Sequence, residues 1–360
     1  MREARLGISL SALHHNLRRV REAAPYARVM AMVKADAYGH GARLVAEALA
    51  EADGFGVALV EEGLALRAAG IRQPITVLEG VFSDAEMFEA VRHGLDVVVH
   101  QDVQLDYLER CRLTGPVAVW LKLDTGMHRL GFSPAAALTA CRRIRLARVS
   151  GDVGLLTHFA CADDLDSPMT ERQMSSFRSV QEQLQQDGAL LRKSLSNSAG
   201  ILAWPAAHGD WVRPGIMLYG SSPFADQSAE SLGLRPVMTL SSRLIAVRRL
   251  QAGEPVGYGA SWVAPRDTWI GVVGIGYGDG YPRHAPNGTP VLVNGRRVPL
   301  AGRVSMDMIT VDLGDTPAQP GDPCILWGEG LPADEVAAHA GTLSYELFCK
   351  VTNRVRRTVW

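Results

Sequence analysis

Charge of one sign is what this chain of 360 residues lacks: 37 Lys and Arg stand against 38 Asp and Glu, for a formal net charge of −1. That balance gives no general electrostatic pull toward nucleic acid or an anionic membrane, so neither is expected as a partner. Cysteines are few, five in all, at Cys111, Cys141, Cys161, Cys324 and Cys349. Their odd number and the lack of any CxxC pair argue against a disulfide framework and a cysteine zinc site, and fit reduced thiols. None of the ten histidines lies in HExxH or pairs with a cysteine at ligand spacing, so no metal is expected. No apolar run approaches the ~18 residues of a spanning helix. The opening MREARLGISLSALHHNL places charges and two histidines where a secretory signal has its apolar stretch, which points to a cytoplasmic protein. No repeat of fixed period and no low-complexity tract is present.

What is there is a hydrophobic content of 47% with 36 Gly and 19 Pro, the make-up of a globular enzyme. The length exceeds one ordinary domain of roughly 100 to 200 residues, so two domains or a large barrel with an addition are expected. From Val29 to Ile216 short apolar runs alternate with helical stretches. Strands are predicted at 29–33, 55–59, 75–78, 96–99, 117–123, 153–157, 191–195 and 211–212, and helices at 43–50, 61–69, 85–92, 103–111, 134–143 and 169–186. Eight such strands over about 200 residues fit an α/β fold of the closed (β/α)₈ type better than an open sheet. After Phe224 the texture changes to short β segments with turns: 238–250, 269–275, 290–293, 308–313 and 323–326, with Asn294-Gly295 as a hairpin signal. Helices at 333–340 and 344–350 and a strand at 354–359 complete the reading. The expected division is a barrel over 1–230 and a mainly-β domain over 231–360, with the first residues allowed to pair with the second domain.

Lys34 ends the apolar strand MAMVK and is followed by ADAYGHG. A lysine at the carboxyl end of a barrel strand sits on the face where such barrels hold their active sites, and partial burial lowers an amine toward a nucleophile. An arbitrary lysine there is a surface residue; the following Tyr38, Gly39, His40 and Gly41 favour a site, since they allow close backbone approach and supply a hydroxyl for an anion. GIGYGDG is a false lead toward a dinucleotide loop, because its spacing is wrong and Pro282 blocks a following helix.

VKADAYGHG resembles the lysine motif of the alanine racemases, barrel enzymes that use pyridoxal 5′-phosphate (PLP). The resemblance covers essentially the whole chain. LKLDTGMHRLGF (121–132), THFACAD (157–163), SNSAG (196–200), VRPGIMLYG (212–220), VGYGASW (256–262), GIGYGDGYPR (274–283) and GRVSMDM (302–308) follow in the family's order. One departure is Asp36, where many members carry Asn.

The resemblance implies that Lys34 holds PLP, with Tyr38, Ser198, Ile216 and Tyr345 around its phosphate and Asn197 and Gly215 in the turns that line it. Small residues at Asn197-Ser198-Ala199 and Pro214-Gly215-Ile216 suit an anion site made of backbone N–H groups. Read alone, SNSAG is a helix cap and Tyr345 a core aromatic. Arg213 is implied at the pyridine nitrogen. An arginine, with its pKa above ~12, cannot leave a proton there as a carboxylate partner does, so the ring withdraws electrons less, which favours racemisation over transamination.

Racemisation needs a proton donor or acceptor on each face of Cα. Lys34 serves one; Tyr258 and Tyr277 compete for the other on residue type alone, and the family pattern assigns Tyr258, leaving Tyr277 at the entrance. A tyrosine with pKa near 10 needs a cationic neighbour to act as base, and His158 is expected to supply it and to count among the cofactor-binding residues. Arg129, Met306 and Asp307 are implied at the substrate carboxylate, and Lys122 resembles a lysine that is carbamylated in many members and orients Arg129. Tyr258 and Asp307 are implied to reach a second copy, giving a homodimer with shared sites.

The expected reaction is interconversion of L- and D-alanine, for cell-wall peptidoglycan or alanine catabolism. A broad-specificity amino-acid racemase, a PLP-dependent decarboxylase and a PLP carrier of the same barrel type are the alternatives; the β-rich half with Tyr258 and Asp307 speaks against a carrier, which needs no second proton donor. Lys34→Ala should lose the visible Schiff-base absorbance and essentially all racemisation. Borohydride reduction should tag the peptide containing Lys34; a label on Lys122, Lys193 or Lys350 instead would sink the assignment.

Overall fold

The computed structural model describes residues 3–113, 115–315 and 318–360. The chain forms two compact units: one gathers Asn16–Leu218 with Pro223–Gln227, the other the chain up to His15, Tyr219–Ser222 and Ser228–Trp360.

In the first unit eight parallel strands follow one another around a barrel: Arg28–Met32, Gly54–Val57, Ile75–Val77, Asp96–Val99, Val117–Lys122, Ser150–Leu156, Arg192–Ser194 and Trp211–Val212. Helices Ala42–Ala48, Val60–Ala68, Asp84–Arg92, Asp102–Arg110, Pro134–Leu146 and Met169–Gln186 alternate with them, so the predicted βα order is met with boundary shifts of at most three residues. The last strand pairs with the first. It meets the seventh through Asp210 N–H to Lys193 O (2.9 Å), Arg213 N–H to Ser196 O (3.0 Å) and Ser194 Oγ to Trp211 O (2.8 Å), which close the ring.

The interior of this barrel is filled rather than open. Val98, Trp120, Gly154 and Arg192 lie in register on successive strands and share one face. Trp120 and Trp211, on strands that are not neighbours, meet edge-on at 6.4 Å, which is possible only across the interior. Gly154 makes room, since a Cβ there would lie 2.3 Å from the Trp120 ring. One on Gly54 would meet the Pro74 carbonyl oxygen at 3.1 Å and touch Trp211 at 3.4 Å. The Arg192 and Arg28 guanidinium groups cover these indoles at 5.0 and 5.6 Å. The amino-terminal end is thus floored by aromatic and charged side chains, and the loops after the strands are left to build a site.

In the second unit the 13-residue strand Met238–Leu250 is the organiser. It pairs antiparallel with Arg5–Ile8, Thr268–Val273 and Pro323–Trp327, and Arg356–Val359 adds in parallel beside Arg5–Ile8. Pro290–Val293 and Arg296–Pro299 form the hairpin signalled by Asn294-Gly295, whose φ values of 50° and 76° give the left-handed turn that fits the twist of the strands. Tyr281 stacks on the buried Trp327 at 6.2 Å. The sequence reading allowed the first residues to pair with the second domain but gave no bounds for the strand Arg5–Ile8, and it did not foresee the helix Leu10–Ala23 or the strand Arg296–Pro299.

Among the described residues no helix is long and apolar enough to cross a membrane, and no group of three or more His, Cys, Asp or Glu is placed to hold a metal. The five cysteines are free thiols.

Asp96, in register with Thr76 on the adjacent strand, accepts a hydrogen bond from Ala118 N at 3.2 Å, yet burial raises its pKa to about 6. A raised carboxyl pKa means that the folded state binds the proton more tightly, so stability is lost as pH climbs from the unfolded value through 6. Asp96→Asn should therefore stabilise the protein at pH 8, by at most about 3 kcal/mol, and the gain should shrink toward pH 4. Urea unfolding at several pH values checks this; a gain that grows toward acid contradicts it.

Candidate active site

The carboxyl ends of the barrel strands converge on cations. Arg213 follows the last strand and is only 3% exposed. Its Nη1 donates to Ser194 Oγ (2.5 Å), and its Nη2 donates to Thr157 O (2.6 Å) and Leu195 O (3.1 Å) and lies 3.3 Å from His158 Nδ1. Burial lowers its pKa to about 10, which still leaves it protonated at neutral pH. No hydrogen bond from Nε is made among the described residues.

His158 cannot be the cation the sequence reading required. Burial first, then Arg213, Arg129, Lys122 and Lys34, push its pKa well below the usual histidine range. A guanidinium nitrogen only donates, so Nδ1 facing Arg213 must be the acceptor and the ring is the neutral tautomer with its proton on Nε2. Gln173 holds this loop: its Nε2 donates to His158 O (2.9 Å) and Thr125 Oγ1 (3.0 Å), and its Oε1 accepts from Ala160 N (2.9 Å). No motif announced Gln173, a buried polar residue on the helix Met169–Gln186. Thr157 was likewise missed; its Oγ1 donates to Leu123 O at 2.9 Å.

Lys122 ends its strand 8% exposed, in a small cavity that it lines with Asp124, Met127, Arg129, Thr157 and His158. Burial and then the charges of Arg213, Arg129 and Lys34 lower its pKa to about 8. Nearby, Asp124 shapes the loop to Arg129 by accepting from Gly126 N and His128 N, both at 3.0 Å.

Lys34 begins a turn in which Ala35, Asp36, Ala37 and Tyr38 all have φ between 52° and 54°. Asp36, the departure from the usual Asn, accepts from Ala42 N at 2.8 Å, so a carboxylate serves here as the backbone acceptor. Tyr38 is buried, and its hydroxyl lies 2.6 Å from where a Cβ on Gly215 would stand. Only glycine fits against that hydroxyl. Ser198, 4% exposed, accepts at Oγ from Gly215 N (3.0 Å) and Met217 N (3.4 Å), and so ties the turn after the seventh strand to the turn after the eighth. Asn197 caps the short helix Ser198–Ala203 by accepting from Gly200 N (3.0 Å), the cap the isolated motif suggested. The first N–H groups of the turns at Ser198 and Ile216 have no partner within their own turns.

The remaining candidates belong to the second unit, where three of them share one cluster. Tyr277 N–H donates to Ser305 O (3.0 Å), Gly278 N–H donates to Met306 O (2.9 Å), and Arg354 donates to Asp307 Oδ1 (2.6 Å). Tyr277, Met306 and Asp307 are therefore held together. Tyr258 follows Gly257 (φ 73°) and is 68% exposed; Tyr345 lies on the helix Ser344–Lys350.

Comparison with known proteins agrees over the full length. Residues 8–223 match the model of the alanine racemase N-terminal domain, and residues 237–359 match that of the alanine racemase C-terminal domain. The alanine racemase of Halorhodospira halophila is 53% identical over 359 residues, covering 99% of this chain and 97% of the relative, and that of Vibrio cholerae is 52% identical over 362 residues, covering 100% and 99%. The crystal structure of the biosynthetic alanine racemase from Pseudomonas aeruginosa superposes with a TM-score of 0.96 at 50% identity, covering 100% of both chains, and the enzyme from Streptomyces coelicolor with 0.92 at 37%, covering 99% and 98%. With a lysine just past one barrel strand, a buried arginine just past the strand paired with it, and two halves that match both domain models, the chain belongs to the alanine racemase family.

Proposed function

We propose that this chain interconverts L-alanine and D-alanine, supplying D-alanine in the cytoplasm, with Lys34 and Tyr258 as the two proton-transferring groups. The observation that carries the reading is the buried Arg213 with Nε unused, just past a strand that pairs with the one leading into Lys34. The family uses PLP. When bound, PLP withdraws electrons from the amino acid's Cα–H bond and so acidifies it. The residues present fit that cofactor. Lys34 offers the primary amine, Tyr38 against Gly215 and the N–H groups at Ser198 and Ile216 suit a phosphate, with Asn197 in the same turn, and Arg213 Nε is the donor left for a ring nitrogen. A guanidinium cannot pass on its proton, which keeps electron withdrawal weak and favours return of the proton to Cα.

Lys34 Nζ serves one face of Cα and Tyr258 Oη the other. Because His158 is neutral, the positive charge at this place is that of Arg213 behind it, and His158 Nε2–H is left as the hydrogen-bond donor toward Tyr258 Oη. Arg129 and the backbone at Met306 hold the substrate carboxylate, with Asp307 beside them and tied to Arg354, while Tyr277 lines the entry. In this reading Tyr258 comes from a second copy. Its unit leaves Met306 52% and Val263 50% exposed, apolar surface that a homodimer would cover.

Lys122 carries a carbamate in this proposal: its neutral amine adds to carbon dioxide and releases one proton, placing an anion among Arg213, Arg129 and Lys34. With a pKa of about 8, half of the amine is neutral at pH 8. Enzyme equilibrated with ¹³C-bicarbonate should show a carbamate resonance that grows between pH 7 and pH 8 and is missing in Lys122→Ala; a wild-type spectrum without it would refute the modification.

Tyr258→Ala should keep PLP bound and still exchange the Cα hydrogen of D-alanine with deuterated solvent through Lys34, while racemisation falls by roughly 10²- to 10⁴-fold. Tyr277→Phe should act mainly on KM. Near-normal racemisation in Tyr258→Ala beside a dead Tyr277→Phe would assign the second base to Tyr277.

A further inference from the structure

Four successive residues with side chains in the left-handed region are unusual, because each Cβ crowds the following carbonyl at a cost on the order of 1–2 kcal/mol. Ala35, Asp36, Ala37 and Tyr38 do this directly after Lys34. Such a turn persists only where its surroundings hold it. Part of that support is local: Ala37 N–H donates to Val33 O (2.8 Å), Gly39 N–H donates to Ala35 O (3.0 Å), and the buried His40 places Nδ1 3.0 Å from Ala37 O and 2.9 Å from Tyr38 O. The first peptide of the turn, the one that joins Lys34 to Ala35, is held from elsewhere. Ala35 N–H donates to Glu62 Oε1 at 2.7 Å.

Glu62 stands in the third position of the helix Val60–Ala68, and its other oxygen, Oε2, accepts from Ala58 N (2.7 Å) and Leu59 N (3.2 Å). One carboxylate therefore divides its work: Oε2 caps its own helix, and Oε1 reaches across to the preceding βα loop. Capping alone needs only the first of these. The plane of the Lys34–Ala35 peptide sets the direction of the Lys34 Cα–Cβ bond, so whatever fixes that peptide aims the lysine side chain.

We infer that Glu62 is a positioning residue for Lys34, orienting its amine through the Ala35 amide without touching substrate or cofactor. The inference rests on the reading of Lys34 as the cofactor lysine and proton carrier. Glutamine separates the two tasks. In Glu62→Gln the single carbonyl oxygen can keep the helix cap, which turns the side-chain NH₂ toward Ala35 N–H, donor against donor; the reverse orientation keeps Ala35 and loses the cap.

The experiment begins with borohydride reduction of the wild-type holoenzyme, since a label away from Lys34 would remove the underlying reading and a label on Lys34 leaves only the role of Glu62 in question. Glu62→Gln is then compared with wild type by amide hydrogen exchange of the cofactor-free protein, by the rate at which hydroxylamine releases PLP, and by kcat and KM for alanine. Faster exchange confined to the segment 34–39, faster release, and a kcat lowered roughly tenfold or more at little-changed KM are expected, the scale of one lost charge-assisted hydrogen bond. Ala35→Gly, which removes the Cβ cost at that position, should reduce the effect of Glu62→Gln on exchange and kcat. Wild-type exchange and kcat in Glu62→Gln would overturn the inference. So would faster exchange centred on the helix Val60–Ala68, with a lowered melting temperature and no dependence on Ala35→Gly, because that is the loss of a helix cap.

Discussion

Everything at the carboxyl end of the barrel answers to one electrostatic constraint, the crowding of Arg213, Arg129, Lys122 and Lys34 around His158. Like charges confined in a poorly solvated space suppress further protonation. Two groups give way to this crowding and to burial: His158 is neutral, and Lys122 is lowered to about 8. Arg213 stays charged and spends its donors on Ser194, Thr157 and Leu195. An overall charge of −1 hides this local excess. It suits a site whose proposed occupants, a phosphate, a carboxylate and a carbamate, are all anions.

The same constraint gives the filled floor a purpose. With Trp120 and Trp211 across the amino-terminal end, the cations face a single opening instead of a water-filled tube, and the low dielectric that depresses Lys122 is preserved. Gly154 is small because the Trp120 indole occupies its side-chain space, and Gly215 is small because Tyr38 does. Glycine does steric work in the interior of this fold as well as conformational work in its turns.

How much of this was legible beforehand depends on whether the information was local. The βα alternation, the long strand Met238–Leu250 and the hairpin at Asn294-Gly295 are patterns within a few residues, and the structure has them. Arg5–Ile8 was not seen as a strand: its four residues carry too little pattern, and its partners, Met238–Leu250 and Arg356–Val359, lie more than two hundred residues away. The charge of His158 failed for a related reason. Sequence shows an apolar run ending in histidine, but the downward shift of its pKa comes first from burial and then from four cations on other strands and loops. Gln173 and Glu62 were invisible as well, because an amide or a carboxylate on an ordinary amphipathic helix gives no sign that it bonds the backbone of a neighbouring loop.

These two residues show what the cationic cluster requires of the backbone around it. Charges that repel one another tend to spread, and a lysine that must return a proton to one face of Cα tolerates little spreading. Neither Gln173 nor Glu62 supplies a countercharge in contact with the lysines; each accepts or donates along the main chain, Gln173 at His158 and Ala160, Glu62 at Ala35. Rigidity comes from the hydrogen-bonded loops, and the charge needed for anion binding is left unneutralised. A carboxylate placed directly against Lys34 or Arg213 would have relieved the repulsion more strongly, but it would also have competed with the phosphate and carboxylate that the proposed reaction brings to the same place.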